Sequence, residues 1–175
     1  DENIHPVVPM RNAVGPMDYT PGVINTFQPE YYLSTHYNGG GIGTRAYQMA
    51  LFVLFETGLQ MLVDNPTMYY REEDCARFMA SIPLPTDETV SLAAKVGEYA
   101  IVAKRKGDKW YIGGMTNNKE KERIFELPLD FLPEGSTWKM VSYEDGVNAN
   151  KQAMHYMKRE QEVKKGQAIR VKMAR

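Results

Sequence analysis

One cysteine, three histidines and two tryptophans are all that 175 residues supply of the side chains most often read as chemistry on their own. A single thiol, Cys75, excludes an internal disulfide, and without a CxxC pair or a histidine–cysteine cluster there is no zinc framework. Cys75 reads as a buried or half-buried thiol. No excess of either charge is present: 21 basic side chains face 22 acidic ones, which speaks against a nucleic-acid surface and against an acidic tail. Long apolar runs are missing too. The longest, MALFVLF over residues 49–55, falls far short of the roughly 20 residues a bilayer span needs, so no membrane span is expected. The first residues, DENIHPVVPMRN, have neither a basic nor an apolar signal-peptide region. With no helix or strand start ahead of Asp1, the chain reads as opening inside a larger protein.

What is present divides into two unlike halves. Residues 6–17, rich in valine and bounded by prolines, read as a buried strand whose carboxyl end lies near Asp18. Then comes GPMDYTPG, residues 15–22. Gly15-Pro16 and Pro21-Gly22 punctuate it, because proline fixes φ and glycine permits φ > 0. Turn chemistry accounts for every residue in this stretch, yet a carboxylate pinned between two stiff corners is also what a polar binding site needs. Residues 19–43 carry Pro, Gly, Asn and aromatics without period. A loop of about 25 residues is usually functional or disordered, and its aromatics argue against disorder.

Thr44 then offers an N-cap to an apolar run that predicts a helix buried on most faces. It is kinked or broken at Gly58 and runs on to the stop at Asn65-Pro66. A second helix is expected over residues 71–82, acidic in its first turn and ending before Pro83. From Thr86 onward the period becomes two. Tyr99–Arg105 and Lys109–Met115 read as a hairpin about Lys106-Gly107-Asp108; further strands are expected at Glu122–Leu127, Thr137–Glu144, part of Gln152–Val163, and Ala168–Lys172. Short strands with turns every ten or so residues suggest an antiparallel sandwich. The expected boundary is near residue 85.

A strand, a long loop and a buried helix form one β/α unit, which cannot bury its own faces and belongs to a barrel or doubly wound sheet. In such architectures catalytic groups sit at the carboxyl ends of strands, where Asp18 and the 19–43 loop fall.

The segments VGPMDYTPG, GTRAYQMALFVLFETGLQMLVDNP and VGEYAIVAKRKGDKWYIGGMTN, in that order, resemble the carboxyl-terminal part of glycoside hydrolase family 97, bacterial α-glucosidases and α-galactosidases. The resemblance implies a fold of α/β plus all-β class: residues 1–85 as the last β/α portion of a (β/α)8 barrel, residues 86–175 as a small antiparallel β-sandwich. It implies an upstream barrel and an amino-terminal sandwich as partners within the same protein, an oligosaccharide substrate, and a periplasmic or secreted location. It also implies a general-acid glutamate and a Ca2+ ion held largely by glutamates.

By that resemblance Glu2, just ahead of VVPMRN, is the general acid or a calcium ligand, although the family's Glu-His pair is here spread over Glu2-Asn3-Ile4-His5. Hydrolysis needs one carboxyl group to protonate the leaving oxygen and a second to act on water or the anomeric carbon, and the second lies outside this chain. Calcium takes hard oxygen ligands. Asp18 and His36 are the candidate substrate-binding residues. For His36 the alternative is a loop histidine bonded to backbone; for Arg45, a solvated or strand-packed side chain rather than a carboxylate clamp. Glu56, a charge in an apolar run, is expected to pair across a helix–sheet interface. Trp110 and Trp138 are expected in the sandwich core. A non-catalytic sandwich module, binding carbohydrate or packing on a neighbour, remains the alternative to an enzyme fragment. Inversion against retention and glucose against galactose stay open.

Overall fold

Helix α1 (Arg45–Leu54) is the pivot of the computed structural model, which describes residues 12, 14–33, 39–117 and 122–174. Thr44 has extended backbone and its hydroxyl accepts the Tyr47 N–H at 3.1 Å, the N-cap expected from the sequence. Apolar residues surround the helix, so it is buried on several faces: Met49, Leu51, Phe52, Val53 and Leu54 are all in the core. The helix ends at Leu54, eleven residues before the expected stop. Phe55 turns extended, the Gln60 amide donates to the orphaned Phe52 carbonyl at 2.9 Å, and the Glu56 carbonyl accepts the Met17 N–H at 2.9 Å. Tertiary hydrogen bonds override the helical propensity of the apolar run here.

Helices α2 (Pro66–Arg71) and α3 (Glu73–Ala80) replace the single helix expected over residues 71–82. Asn65 caps α2 by accepting the Met68 N–H at 3.0 Å, with Pro66 at the first turn where its missing donor costs nothing. Glu72 leaves helical geometry and separates the two. No helix among the described residues is long and apolar enough to cross a membrane.

The long loop is partly ordered by its own backbone. Strands β1 (Thr26–Phe27) and β2 (Gly41–Ile42) pair in parallel, with a 3-10 turn at Pro29–Tyr31 between them. Of the strand expected over residues 6–17, most lies outside the described residues; Asn12 and Val14 carry helical backbone, a difference from the extended reading.

The second half is antiparallel throughout. Strands β3 (Glu88–Lys95), β4 (Tyr99–Lys106) and β5 (Lys109–Thr116) form a meander, and Gly107 at φ 58° makes the β4–β5 turn. Strand β6 (Glu122–Pro128) pairs with β9 (Ala168–Ala174), and β7 (Trp138–Asp145) with β8 (Tyr156–Val163). Arg123 joins β6 to the β3–β4 turn, bonding Glu98 at 3.1 Å and Asn117 at 3.2 Å. Strand β3 was not singled out from the sequence; its small residues Ser91, Ala93 and Ala94 weaken the apolar alternation, and a bulge interrupts it.

The two halves share their core through α1. One cluster joins Ile24, Met49, Phe52, Val53, Cys75, Met79 and Ile82, with Val102, Tyr111, Tyr143 and Tyr156 of the strands packed on it. A second joins Leu51, Leu54 and Phe55 to Met115. The third, Leu129, Leu132 and Val163, carries Trp110 and Trp138 as expected, although neither indole N–H finds an acceptor among the described residues. Glu56 also behaves as its sequence context demanded: its carboxylate meets the buried Lys104 ammonium at 2.5 Å and accepts from the Thr86 hydroxyl at 3.3 Å.

Gly113 sets how closely α1 lies on β5. A Cβ there would stand 2.7 Å from Val53 Cβ and 3.0 Å from the Ala50 carbonyl oxygen. Gly113→Ala is therefore expected to lower the unfolding free energy by about 1–3 kcal/mol in urea denaturation, the usual cost of overpacking, whereas Gly135→Ala, which meets no atom, should cost only its backbone strain at φ 76°. Equal losses at the two positions would contradict the close approach.

Candidate functional site

Two stretches of backbone lie side by side ahead of the long loop. The Met17 N–H donates to the Glu56 carbonyl at 2.9 Å and the Val63 N–H to the Pro21 carbonyl at 3.4 Å, so residues 17–21 and 56–63 advance in the same direction. The connection between them runs through the 22–43 loop and α1, the crossover that parallel neighbours require. Their carboxyl ends open onto that loop and onto Asp64-Asn65.

Asp64 organises this end. Its Oδ2 accepts the Ile24 and Asn25 N–H groups at 2.9 and 3.1 Å, and its Oδ1 accepts the Asn65 N–H at 2.9 Å. The Tyr69 hydroxyl donates to the Gly22 carbonyl at 2.9 Å and accepts the Asp64 N–H at 2.8 Å. Burial raises the Tyr69 pKa, which keeps that donor in place. Arg45, buried, donates to the Ile24 carbonyl at 3.1 Å, pairs with Glu72 at 3.0 Å and lies over the Tyr156 ring. It is a structural tie: it packs on a strand tyrosine as expected, but it also holds the Glu72 carboxylate, against the expectation that it would not clamp one. None of Asp64, Tyr69 or Gln48, whose side chain accepts the Gly22 N–H, was singled out from the sequence. From the sequence, the helix is expected to run through Asp64 to a stop at Asn65-Pro66.

Glu2 and His36 lie outside the described residues. Asp18 is exposed on the margin of the two parallel stretches, beside Tyr19, whose ring meets Phe55 edge-on at 4.3 Å. Among the described residues no three His, Cys, Asp or Glu side chains converge to hold a metal. Burial pushes the Cys75 thiol up, so its thiolate is disfavoured and it is packing, not a nucleophile. Exposed apolar side chains include Leu59, Leu62 and Val63 on the second stretch, Tyr31 and Leu33 on the loop, and Tyr70 on α2.

Behind the loop, the β7 end adds a buried carboxyl. The Asp145 Oδ2 accepts the Ala174 N–H at 2.7 Å, and the Thr44 hydroxyl bonds the same carboxyl, while Oδ1 has no partner among the described residues. Burial raises its pKa, partly offset by those two donors.

Residues 85–175 match the family described as Glycosyl-hydrolase 97 C-terminal, oligomerisation. A retaining α-galactosidase of Bacteroides thetaiotaomicron is 36% identical over 165 residues, covering 94% of this chain and 24% of that protein. A family 97 glycoside hydrolase of a Pseudoalteromonas species, solved with acarbose, superposes with a TM-score of 0.81 at 30% identity, over 99% of this chain and 27% of that one. A variant of a family 97 enzyme from that source, solved with panose, gives 0.82 at 27% identity and the same coverage. The chain thus spans about a quarter of the length of these relatives.

The raised pKa of Asp145 fixes the sign of a pH effect. The native state holds this proton more tightly than the unfolded chain, so stability is greatest below the ordinary carboxylate range and falls as pH rises through the native pKa. Asp145→Asn removes the titration while keeping the shape. In urea melts at several pH values, the variant should gain stability relative to the natural chain between acid and neutral pH; a constant difference would contradict the buried carboxyl.

Proposed function

Since the chain belongs to glycoside hydrolase family 97, we propose that it is the carboxyl-terminal part of an α-glycoside hydrolase, of α-galactosidase or α-glucosidase type, acting on oligosaccharides. The observation that carries this reading is 36% identity with a retaining α-galactosidase over nearly the whole chain. The parallel pair of stretches joined by α1 supports assigning residues 1–85 to the end of a (β/α)8 barrel, and the antiparallel strands support residues 86–175 as the closing sandwich. On this reading the exposed apolar side chains at Leu59, Leu62 and Val63 face the rest of the barrel, and the protein is periplasmic or secreted.

In the chemistry proposed, Glu2 protonates the glycosidic oxygen as it leaves while a carboxylate from an upstream strand attacks the anomeric carbon, the retaining course carried by the α-galactosidase relative. Asp18, exposed at the barrel margin, accepts hydrogen bonds from sugar hydroxyls, and His36 in the loop supplies a donor or acceptor to the same sugar. A calcium ion, where bound, adds a fixed positive charge. The described residues do not offer a cluster to hold it, so its ligands would be Glu2 and carboxylates elsewhere in the enzyme. The 175-residue chain alone supplies at most one of the two carboxyl groups and should be inactive.

The family description favours a second role for the sandwich, association between copies. Light scattering on the purified chain should give a mass above that of one copy, 20.0 kDa; a strict monomer across micromolar concentrations would count against it.

Substituting Glu2→Gln in the full-length enzyme tests the catalytic reading. Hydrolysis of sugars with poor leaving groups should fall by about 10²–10⁴-fold, while activated aryl α-glycosides, which need little protonation, are largely spared. Equal loss on both substrates, restored by added calcium, would make Glu2 a metal ligand. No change on either would remove it from the site.

A further inference from the structure

We propose that the sandwich turn at residues 146–155 is a strut that positions the long loop for substrate, with Gln28 as its point of attachment. The inference rests on the proposal above that Asp18 and His36, at the start of and within the long loop, contact the sugar. It assigns to the sandwich a part in substrate binding, separate from any contact between copies.

The turn is built to be stiff. The Gly146 N–H donates to the His155 carbonyl at 2.9 Å, the Ala149 N–H to Gly146 at 3.0 Å, and the Lys151 and Gln152 N–H groups to Asn148 at 2.9 and 2.8 Å. The His155 N–H closes the set by donating to Gln152 at 2.8 Å. Ala149 and Ala153 are fully or nearly fully buried, and a Cβ on Gly146 would meet the His155 ring at 2.6 Å. Such a turn has no slack.

Its carbonyls point at the loop and at the helix that follows it. The Gln28 amide, itself 2% exposed, donates to the Ala149 carbonyl at 2.8 Å. The Arg45 N–H, one of the free donors at the start of α1, donates to the Ala153 carbonyl at 2.8 Å. Gln28 sits between β1 and the 3-10 turn, and β1 pairs with β2, so one bond at Gln28 restrains both sides of the loop. Gln28, Pro29, Ile42 and Gly43 border a cavity of about 660 Å³ on the flank facing the sandwich. Asp64 and Arg45 hold Ile24 and Asn25 from the other side, so the Gln28 bond ties residues 26–33, and through β2 residues 39–43, to the sandwich.

Gln28→Met keeps the volume and removes the donor; Gly146→Ala strains the turn from the sandwich side without touching the loop. Both are made in the full-length enzyme and assayed on an aryl α-galactoside and an aryl α-glucoside, with circular dichroism melts confirming that each folds. In both, amides of residues 26–33 and 39–43 should exchange with deuterium about 10-fold faster, the scale of one lost buried hydrogen bond, while those of Ile24 and Asn25, held by Asp64, should not. KM should rise about 5–10-fold with kcat within about two-fold, the mark of lost binding shared by ground and transition states. Unchanged exchange and unchanged KM in an active enzyme would overturn the strut. Faster exchange with unchanged KM would overturn its role in substrate binding, and an inactive unsubstituted enzyme would instead overturn the glycosidase reading.

Discussion

Everything in this chain depends on burying α1. A ten-residue helix with apolar side chains almost all round cannot be stable against one layer, because each exposed Leu, Phe or Val would forgo about 1.5–3 kcal/mol of burial. It needs cover from both sides. The loop, the C-cap residue of α1, and α3 supply one side through Ile24, Phe55, Cys75 and Met79, and β4 and β5 supply the other through Val102 and Met115. Gly113 lets the helix come close enough for Val53 to touch the sheet. The first half and the antiparallel strands are therefore two covers on one helix, not two bodies joined by a linker.

The polar ties follow from that shared burial. Where α1 ends, Glu56 would be a charge stranded among apolar residues, and Lys104 would be another on the buried face of β4; each resolves the other. Where α1 begins, its free N–H groups are met by Thr44 and by the Ala153 carbonyl, with Asp145 behind Thr44. Both ends of the helix are thus finished by the other half. That is why the loop leading into α1 is tied to the antiparallel half through Gln28 as well as to Asp64 and Arg45.

The sequence was legible where the deciding interactions are local. Thr44 capped the helix because the N-cap bond spans three residues, and Lys106-Gly107-Asp108 made its turn because Gly107 supplies the positive φ. The need for a partner at Glu56 was also readable, since an isolated charge in an apolar run must be paired, although Lys104 could not be named. The stop of α1 was not readable. FETGLQMLV suits a helix or an extended stretch equally, and the choice lies with Met17, Pro21 and Lys104, 39 to 48 residues away along the chain. Strand β3 hid for a different reason: its small residues blur the alternation that marked its neighbours. Of the site, Asp64 fell at the end of the expected helix, and Gln28 carried no local signal because its partner is 121 residues distant. Chemistry at Glu2 and His36 rested on family resemblance, and both residues lie outside the described structure.

The most direct test of the shared helix uses reporters the chain already carries. Cys75, its single thiol, is buried in the cluster beneath α1, and both tryptophans, Trp110 and Trp138, lie among the sandwich strands. Equilibrium urea unfolding of the 175-residue chain can be followed by thiol reactivity and by tryptophan fluorescence in the same samples. If α1 is common to both halves, the two curves coincide in midpoint and slope as one cooperative transition. Separate midpoints, with Cys75 becoming reactive while the tryptophans remain native, would show that the sandwich holds together without the helix and would contradict the account.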